Sequence, residues 1–293
     1  MPMIWNRFRY GIRALLGKNP AGRRLTVFPD DVFIVSYPRS GNTWIRFLVG
    51  NLLDPDDPIS SANVESRVPE IYFFSDQQLL ARARPRILKS HEYFDPRYKR
   101  TIYVVRDPRD VAVSLYYYSM KRKTIPQGYA LEEFIPKFVA GEFFDYCGSW
   151  EEHVLSWHAT RKSHAESLFL RYEDLLANPE QELARIAGVL HADGVPGQVA
   201  RAVELSSAAR MRNLEEKHSS EWRLTRGTRQ DIAFVRQAKS GGWRSELSAP
   251  LVRTIEQAWG APTAAPGHGM HLMLTPRRHG TDGFFAAVLE RRA

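Results

Sequence analysis

The sequence predicts an α/β domain in which a central, mostly parallel sheet is flanked by helices. Three observations lead to this prediction. Short apolar runs, of the kind buried on both faces of a parallel sheet, recur along the chain. Helical patterns alternate with these runs, and polar clusters follow them. Of the 293 residues, 43% are hydrophobic and 25% are charged, which is typical of a globular protein with a sizeable core.

The predicted strands are four apolar runs at residues 32–35, 87–88, 101–105 and 168–170. Helical patterns predict helices over residues 44–53 and 111–120. Another helix begins at Pro179, because proline fits the first helical position and Asn178 before it is a good N-cap. Ligands of such sheets bind beyond the carboxyl ends of the strands. We therefore expect the polar clusters after the first three strands to meet in one crevice.

Composition divides the chain into an N-terminal extension at residues 1–24, a main domain at 25–260 and a Pro- and Gly-rich tail at 261–293. In the extension, apolar residues recur at helical spacing between basic residues, and no acidic residue occurs. Such a helix can lie on an anionic membrane surface, which would make the protein membrane-peripheral, or it can pack on its own domain. Both interpretations stay open here, and so does the oligomeric state.

Charge and cysteine content argue against several classes of protein. The net charge is +8, but the extension supplies six basic residues, so nucleic acid is not an expected partner. No apolar run approaches the roughly eighteen residues of a membrane-spanning helix. The single cysteine, Cys147, cannot form an internal disulfide, which favours a reducing, cytoplasmic location. Neither H-E-x-x-H nor C-x-x-C occurs, so no metal is expected.

The loop after the first strand has the features of a phosphate-binding loop. It runs Arg39-Ser40-Gly41-Asn42-Thr43 and leads directly into a predicted helix, whose first N–H groups and dipole favour an anion. Gly41 allows close backbone approach, the Arg39 fork can bind anionic oxygens, and the Thr43 hydroxyl can donate. The basic residue precedes the glycine, so the loop is not a Walker A motif.

The sequence YPRSGNTW at residues 37–44 resembles the 5′-phosphosulfate loop, usually Y-P-K-S-G-T-T-W, of sulfotransferases that use 3′-phosphoadenosine 5′-phosphosulfate (PAPS). The resemblance implies a P-loop-like three-layer domain. It also implies that Arg39 bridges the leaving phosphate and the sulfonate, that Asn42 and Thr43 bind the 5′-phosphate, and that Trp44 packs against the adenine. Arginine replaces the usual lysine, and it cannot easily give up a proton.

Two further motifs match the same family. VRDPRDVAVS at residues 105–114 resembles its 3′-phosphate segment, with Arg106 and Ser114 at the matching positions. Lys89-Ser90-His91 resembles its K-x-H motif, which implies that His91 is the base and that Lys89 stabilises the sulfonate. Histidine suits the first role, because its pKa is near neutral and the acceptor hydroxyl must lose a proton.

Weaker matches extend the resemblance to about residue 260. Tyr172 matches an adenine-contacting tyrosine, and Ser206 lies in a segment that resembles a late nucleotide contact. Arg236 matches an arginine that clamps the 3′-phosphate, but Gln237 and Ala238 replace the lysine and glycine that usually follow it. The resemblance therefore implies a weaker or differently shaped clamp.

The sequence thus predicts a PAPS-dependent sulfotransferase that passes a sulfonate to an acceptor hydroxyl or amine and releases adenosine 3′,5′-bisphosphate. The acceptor is expected to be a small molecule such as a phenol, an alcohol or a sugar, next to aromatic-rich loops at residues 60–85 and 120–146. Most of these aromatic residues are nevertheless expected to belong to the core. Two alternatives stay open: a nucleotide-dependent phosphotransferase, which the missing Walker A lysine disfavours, and a non-catalytic, membrane-docked nucleotide-binding module, which Lys89 and His91 disfavour.

Overall fold

A parallel four-stranded sheet forms the centre of the computed structural model, which describes residues 20–192, 197–259, 273–274 and 287–288. The strands are β1 (Val32–Ser36), β2 (Ile87–Ser90), β3 (Arg100–Val105) and β4 (Ser167–Arg171). They lie in the order β2-β1-β3-β4, and each neighbouring pair is parallel. Because β1 has a neighbour on both sides and helices on both faces, all of its residues are buried. This explains its uninterrupted apolar run and confirms the predicted fold class.

Helices occupy the connections between the strands and most of the chain that follows β4. They are α1 (Asn42–Leu53), α2 (Val64–Arg67), α3 (Asp76–Leu80), α4 (Pro108–Lys121), α5 (Leu131–Val139), α6 (Trp150–Arg161), α7 (Tyr172–Ala177), α8 (Pro179–Leu190), α9 (Gln198–Leu205), α10 (Ala208–His218) and α11 (Ala249–Trp259). Short 3-10 turns lie at Gly22–Arg24, Ile71–Phe73 and Gly242–Ser245. The two-residue strands β5 (Met273–Leu274) and β6 (Ala287–Val288) pair antiparallel. The expectations for the extension and the tail fall almost entirely outside the described residues.

Alternate residues of β1 enter two separate cores, as the two-residue period of a strand requires. Phe33 and Val35 pack in a cluster with apolar side chains of α4, α5, α6 and α11. Val32 and Ile34 pack in a second cluster with side chains of α1, α8 and α9. The sheet is therefore the middle of three layers, and the helices on its faces fix where the loops beyond its carboxyl edge can run.

The predicted helix starts are close to the observed ones, with one difference in capping. Helix α8 begins at Pro179 as predicted, but the Asn178 side chain makes no capping hydrogen bond. The reason is that α7 ends at Ala177, and the Asn178 N–H donates to Asp174 O to close that helix. Asn178 is thus shared by two helix ends and does not take the backbone shape of a typical N-cap. Among the described helices, none is long and apolar enough to cross a membrane.

Candidate active site

The carboxyl ends of the four strands open onto one cavity of about 270 Å³. Side chains from each strand end line it, together with residues of α1, α4, α10 and the loop after α10. Most of the residues proposed from the sequence are among them: Arg39, Gly41, Asn42, Thr43, Trp44, Lys89, His91, Arg106, Ser114, Tyr172 and Arg236. The structure therefore brings the polar clusters into one crevice, as their places after the strands predict.

The phosphate-binding loop is held in a conformation that requires glycine. Gly41 has φ +100° and precedes α1, and a Cβ there would lie 2.6 Å from Cδ2 of Tyr172. The first N–H groups of α1 have no acceptor within the helix and are available to an anion. The Ser40 N–H donates to Tyr37 O at 3.3 Å and closes the turn. The loop is thus a strand-to-helix turn suited to a phosphate or sulfonate.

The structure revises the role expected of the Asn42 side chain. Its Nδ2 donates to Ile34 O and to Ser36 Oγ, both at 3.2 Å, and the residue is 3% exposed. The amide therefore ties the start of α1 to the end of β1 and does not point a donor at the cavity. Ser40 is fully buried; its backbone N–H closes the turn, and within the part of the chain that the structure describes its Oγ has no hydrogen-bond partner. Thr43 lines the cavity, and the role expected of its hydroxyl, to donate to an anion, stays a prediction.

Arg39 is fixed on several sides although its backbone is in the left-handed region, with φ +71°. Its Nε donates to Ser114 Oγ at 3.2 Å, and its Nη2 donates to Phe234 O at 3.1 Å. The guanidinium carbon lies 4.6 Å from the ring centre of Tyr118 and 4.7 Å from that of Phe234. Burial lowers the pKa of Arg39 to about 10, so the group is a cation at neutral pH. Two aromatic rings suit a flat guanidinium better than a compact ammonium.

Lys89 is buried, with 4% of its surface exposed, and its Nζ lies 2.6 Å from Glu70 Oε2. Burial lowers the pKa of Lys89, the Glu70 carboxylate raises it, and the charge of Arg46 lowers it. Glu70 lines the cavity beside Lys89, and sequence reasoning missed it. No motif marks Glu70, because it meets Lys89 through a bridge between two separate chain segments.

His91 is held in the tautomer that a general base requires. Its Nδ1 lies 2.7 Å from Ser36 O, and since a carbonyl only accepts, Nδ1 carries the proton. The other ring nitrogen, Nε2, then has a free electron pair. Burial lowers the pKa of His91 well below 6.5, and the neighbouring Lys89 cation adds to this, so the ring is neutral at pH 7.

A second histidine supports the backbone of His91. His153 Nε2 donates to His91 O at 3.2 Å, and the Tyr103 hydroxyl donates to His153 Nδ1 at 2.9 Å. The His91 N–H in turn donates to the Tyr72 hydroxyl at 3.1 Å. We call His91, Lys89 and Arg39 the transfer end of the cavity. A hydrogen bond or an ion pair fixes each of these three side chains in position.

A second part of the cavity, which meets the first at Arg39, contains aromatic rings and a cation. Trp44 and Tyr172 meet edge to face at 5.8 Å, and Trp44 Nε1 donates to Ser206 O at 3.0 Å. The guanidinium carbon of Arg106 lies 4.3 Å from the centre of the Tyr172 ring. The structure revises the role of Ser206: it is fully buried, and its Oγ accepts from Asn51 Nδ2 at 2.9 Å. Its side chain therefore faces the core, and only its carbonyl helps, by orienting Trp44.

A loop at residues 234–241, which we call the clamp loop, covers this part of the cavity. Glu215 accepts the N–H groups of Phe234 and Val235 at 2.6 and 3.0 Å, and Asp110 accepts that of Gly241 at 2.7 Å. Arg106 Nη1 donates to Arg39 O, and Arg106 Nη2 donates to Lys239 O. Side chains of helices α4 and α10 thus hold a loop that has no regular secondary structure of its own.

Arg236 is engaged within the protein. Its Nη1 lies 2.7 Å from Glu246 Oε1, and its guanidinium carbon lies 4.4 Å from the centre of the Tyr117 ring. The residue still lines the cavity, but its charge is already paired. Arg236 thus reaches the cavity as the partner of Glu246, and the weaker or differently shaped clamp that the replacements at positions 237 and 238 imply stays a prediction.

Aromatic residues of the expected acceptor-side loops divide between the cavity and the core. Phe144 and Tyr146 line the cavity beside Tyr118 of α4, whereas Phe143 stacks on buried Phe134 with 4.4 Å between the ring centres. Within the described residues, no group of three or more metal-ligating side chains could hold a metal ion. The cavity thus offers cations and N–H groups for anionic oxygens, a neutral histidine for a proton, and an apolar wall.

Comparisons with known proteins identify the family of this chain. A family model described as "Sulfotransferase domain" matches residues 29–264. Sulfotransferase 1 family member D1 of Mus musculus is 28% identical over 247 residues, which cover 78% of this chain and 82% of the relative. Sulfotransferase 1A1 of Canis lupus familiaris is 30% identical over 236 residues, covering 75% and 79%. Retinol dehydratase, solved with androsterone and the inactive cofactor PAP, has a similar fold: the TM-score is 0.69 at 23% identity, covering 81% and 82%.

The chain belongs to the sulfotransferase family, since the family model matches most of its length. It is a PAPS-dependent sulfotransferase of the type that the curated relatives represent. The family, the fold class and the activity predicted from the sequence are thereby confirmed.

Proposed function

We propose that His91, Lys89 and Arg39 carry out sulfonate transfer at one end of the cavity, and that the rest of the cavity holds the adenosine part of PAPS. The observation that carries this proposal is the state of His91. Its Nδ1–H is committed to Ser36 O, and its Nε2 is left unprotonated in a ring that lies near the cations Lys89 and Arg46. A neutral base next to fixed positive charge is what attack by a hydroxyl on a sulfonate requires.

In the proposed reaction, His91 Nε2 takes the proton of the acceptor hydroxyl while its oxygen forms a bond to sulfur. The bond between sulfur and the bridging oxygen of the 5′-phosphate breaks in line with this attack, and the electron pair stays on the phosphate. Lys89 and Arg39 stabilise the sulfonate and the leaving oxygen, with the first N–H groups of α1. Arg39 acts through its charge, since it is cationic at neutral pH.

The nucleotide would lie between Trp44 and Tyr172 on one side and the clamp loop on the other. Arg106 and Ser114 are the proposed partners of the 3′-phosphate. Both line the cavity. The donors of Arg106 now contact carbonyl oxygens that a phosphate could replace, and Ser114 Oγ accepts from Arg39 Nε, which leaves its O–H to donate to a phosphate. Asn42 contributes only its backbone N–H, and Arg236 contributes less than Arg106 because of its ion pair with Glu246.

The proposed acceptor is a small molecule with a flat apolar body and a hydroxyl or amine. Tyr118, Phe144, Tyr146 and Leu224 line the cavity and offer such a body an apolar wall. Retinol dehydratase, which has a similar fold, was solved with androsterone, and this supports a small-molecule acceptor. We also propose a cytoplasmic location, consistent with the buried free thiol of Cys147.

Calorimetric titration without added Mg²⁺ tests the nucleotide site. Adenosine 3′,5′-bisphosphate should bind tightly, and AMP should bind at least tenfold more weakly because it lacks the 3′-phosphate. Equal affinity for the two nucleotides would show that Arg106 and Ser114 do not form a 3′-phosphate site. A strict requirement for Mg²⁺ would instead favour phosphoryl transfer.

A further inference from the structure

Four charged residues form a buried cluster behind the transfer end. Arg46 on α1 is fully buried, and its Nη2 lies 2.7 Å from Glu65 Oε1 on α2. Its Nη1 lies 4.0 Å from Glu70 Oε2, the same oxygen that binds Lys89 Nζ at 2.6 Å. The cluster contains two cations and two carboxylates and is balanced overall. Only Glu70 and Lys89 of the four line the cavity.

The backbone fixes the two cavity-facing members relative to each other. The Lys89 N–H donates to Pro69 O at 2.8 Å, and Glu70 pairs with Lys89 in a parallel bridge beside β2. The Glu70 N–H donates to Glu65 Oε2 at 3.0 Å. The segment before the turn Ile71–Phe73 is therefore attached both to the edge of the sheet and to α2. This places the Glu70 carboxylate at the wall of the cavity beside Lys89, with little freedom to move.

We propose that Glu70 is the positioning residue of Lys89: it holds the ammonium at the transfer end and keeps it charged, while leaving donors free for the sulfonate. An ammonium has three N–H donors, and Glu70 occupies one of them. Glu70 also faces Arg46, so two cations share its single negative charge. The positive charge of Lys89 is therefore only partly compensated, whereas a carboxylate that paired with Lys89 alone would compensate it fully. The inference rests on the role proposed above for Lys89.

The electrostatics explain why such a partner is needed. Lys89 is buried and lies close to the Arg46 cation, and both effects favour the neutral amine. The Glu70 carboxylate is the largest effect in the opposite direction, with a smaller one from Glu65. The other titratable groups packed around this pair are His91 at the end of β2 and Tyr146 in the loop before α6. Without Glu70, Lys89 would lose its proton at a lower pH.

Glu70→Gln tests the proposal, because glutamine keeps the shape and one acceptor but removes the charge. The readout is the pH profile of kcat with saturating PAPS, whose alkaline limb reports the loss of the Lys89 proton. We expect this limb to move to lower pH by about one unit or more, as an opposite charge at this distance usually shifts a pKa. Affinity for adenosine 3′,5′-bisphosphate should stay within about twofold. Glu70→Asp keeps the negative charge, so the alkaline limb of this variant should lie closer to the alkaline limb of the wild type.

Two further variants separate the possible outcomes. Lys89→Arg should move the alkaline limb to higher pH, because an arginine keeps its proton longer than a lysine in the same place, and the loss of the Arg39 proton, with a pKa of about 10, then limits turnover. Asp31→Asn is a matched control: Asp31 and Arg86 form a buried pair at the other end of β1 and β2, with Nε and Oδ1 2.8 Å apart. Asp31→Asn should lower the melting temperature of the protein without moving the alkaline limb of the pH profile.

Each result decides between the two proposals. If Lys89→Arg moves the alkaline limb to higher pH but Glu70→Gln leaves it in place, the role of Glu70 is overturned and that of Lys89 stands. If Lys89→Ala retains wild-type turnover, the role proposed for Lys89 fails and that of Glu70 fails with it. A shift in Asp31→Asn equal to that in Glu70→Gln would show a general effect of stability and would also overturn the inference.

Discussion

The two ends of the cavity are built in different ways. At the transfer end, Lys89 lies in β2 and His91 directly follows it. Neighbours in the sheet fix both: Ser36 O at the end of β1 fixes His91, and Glu70 at the sheet edge fixes Lys89. At the other end, side chains of α4 and α10 hold the backbone of the clamp loop. Sheet register defines the first end, and side-chain contacts between distant segments define the second. Changes at the transfer end should therefore alter turnover, and changes near the clamp loop should alter nucleotide affinity.

The largest effect is expected from His91→Ala. Removal of a positioned general base usually costs about 10²- to 10⁴-fold in rate. We expect kcat to fall by that amount, while affinity for adenosine 3′,5′-bisphosphate stays nearly unchanged, since the proposed place of the adenosine part is beside Trp44 and Tyr172. Steady-state kinetics and calorimetry on the same preparation measure both quantities.

His158→Ala is a suitable control for that experiment. His158 is also a buried histidine, on α6, and burial lowers its pKa to about 4, but it packs against Phe169. Its removal should affect stability without reducing kcat per folded molecule. Wild-type turnover in His91→Ala would remove His91 from the proposed mechanism.

A smaller effect, on binding, is expected from Arg106→Ala. A charged hydrogen bond to a phosphate contributes about 1.5–3 kcal/mol, so the Kd of adenosine 3′,5′-bisphosphate should rise about 10- to 100-fold. Affinity for AMP should change much less, because AMP lacks the 3′-phosphate. Arg109→Ala in the same motif is the control: Arg109 pairs with Asp107 and Glu256 and stacks on Trp243. Parallel losses for both nucleotides in Arg106→Ala would contradict a specific 3′-phosphate contact.

A still smaller loss is expected from Arg236→Ala. Because Arg236 is paired with Glu246 and stacked on Tyr117, we expect a rise in Kd below about tenfold, less than for Arg106→Ala. Glu246→Gln frees the guanidinium and should leave the affinity equal or improve it. If Arg236→Ala is as damaging as Arg106→Ala, the ion pair must open when the nucleotide binds, and the clamp loop must be rearranged.

The contrast between the two ends also explains how far the sequence could predict the site. The strands and the phosphate-binding loop with Arg39 follow from pattern and spacing. Lys89 and His91 also come directly after an apolar run, but it is the resemblance to a family motif that gives them a role. Glu70 carries no such signal, because its meeting with Lys89 depends on how two segments pair at the sheet edge. Asn42 and Ser206 match nucleotide-contact segments of the family, yet both side chains face the core, and spacing alone does not show which way a side chain turns.

The smallest effect on binding is expected from Ser206→Ala, which tests that last point. Ser206 Oγ accepts from Asn51 Nδ2 in the core, and the Ser206 carbonyl that orients Trp44 is unchanged by the substitution. Affinity for adenosine 3′,5′-bisphosphate should therefore stay within about twofold of the wild type. The free energy of unfolding should fall by about 1–3 kcal/mol, because the Asn51 amide loses its partner in a buried place. Ser207→Ala is the matched control: its exposed cap contact to the Arg210 N–H is 3.4 Å long, so it should cost less stability. A tenfold loss of nucleotide affinity in Ser206→Ala, with stability unchanged, would place this side chain in the nucleotide site after all.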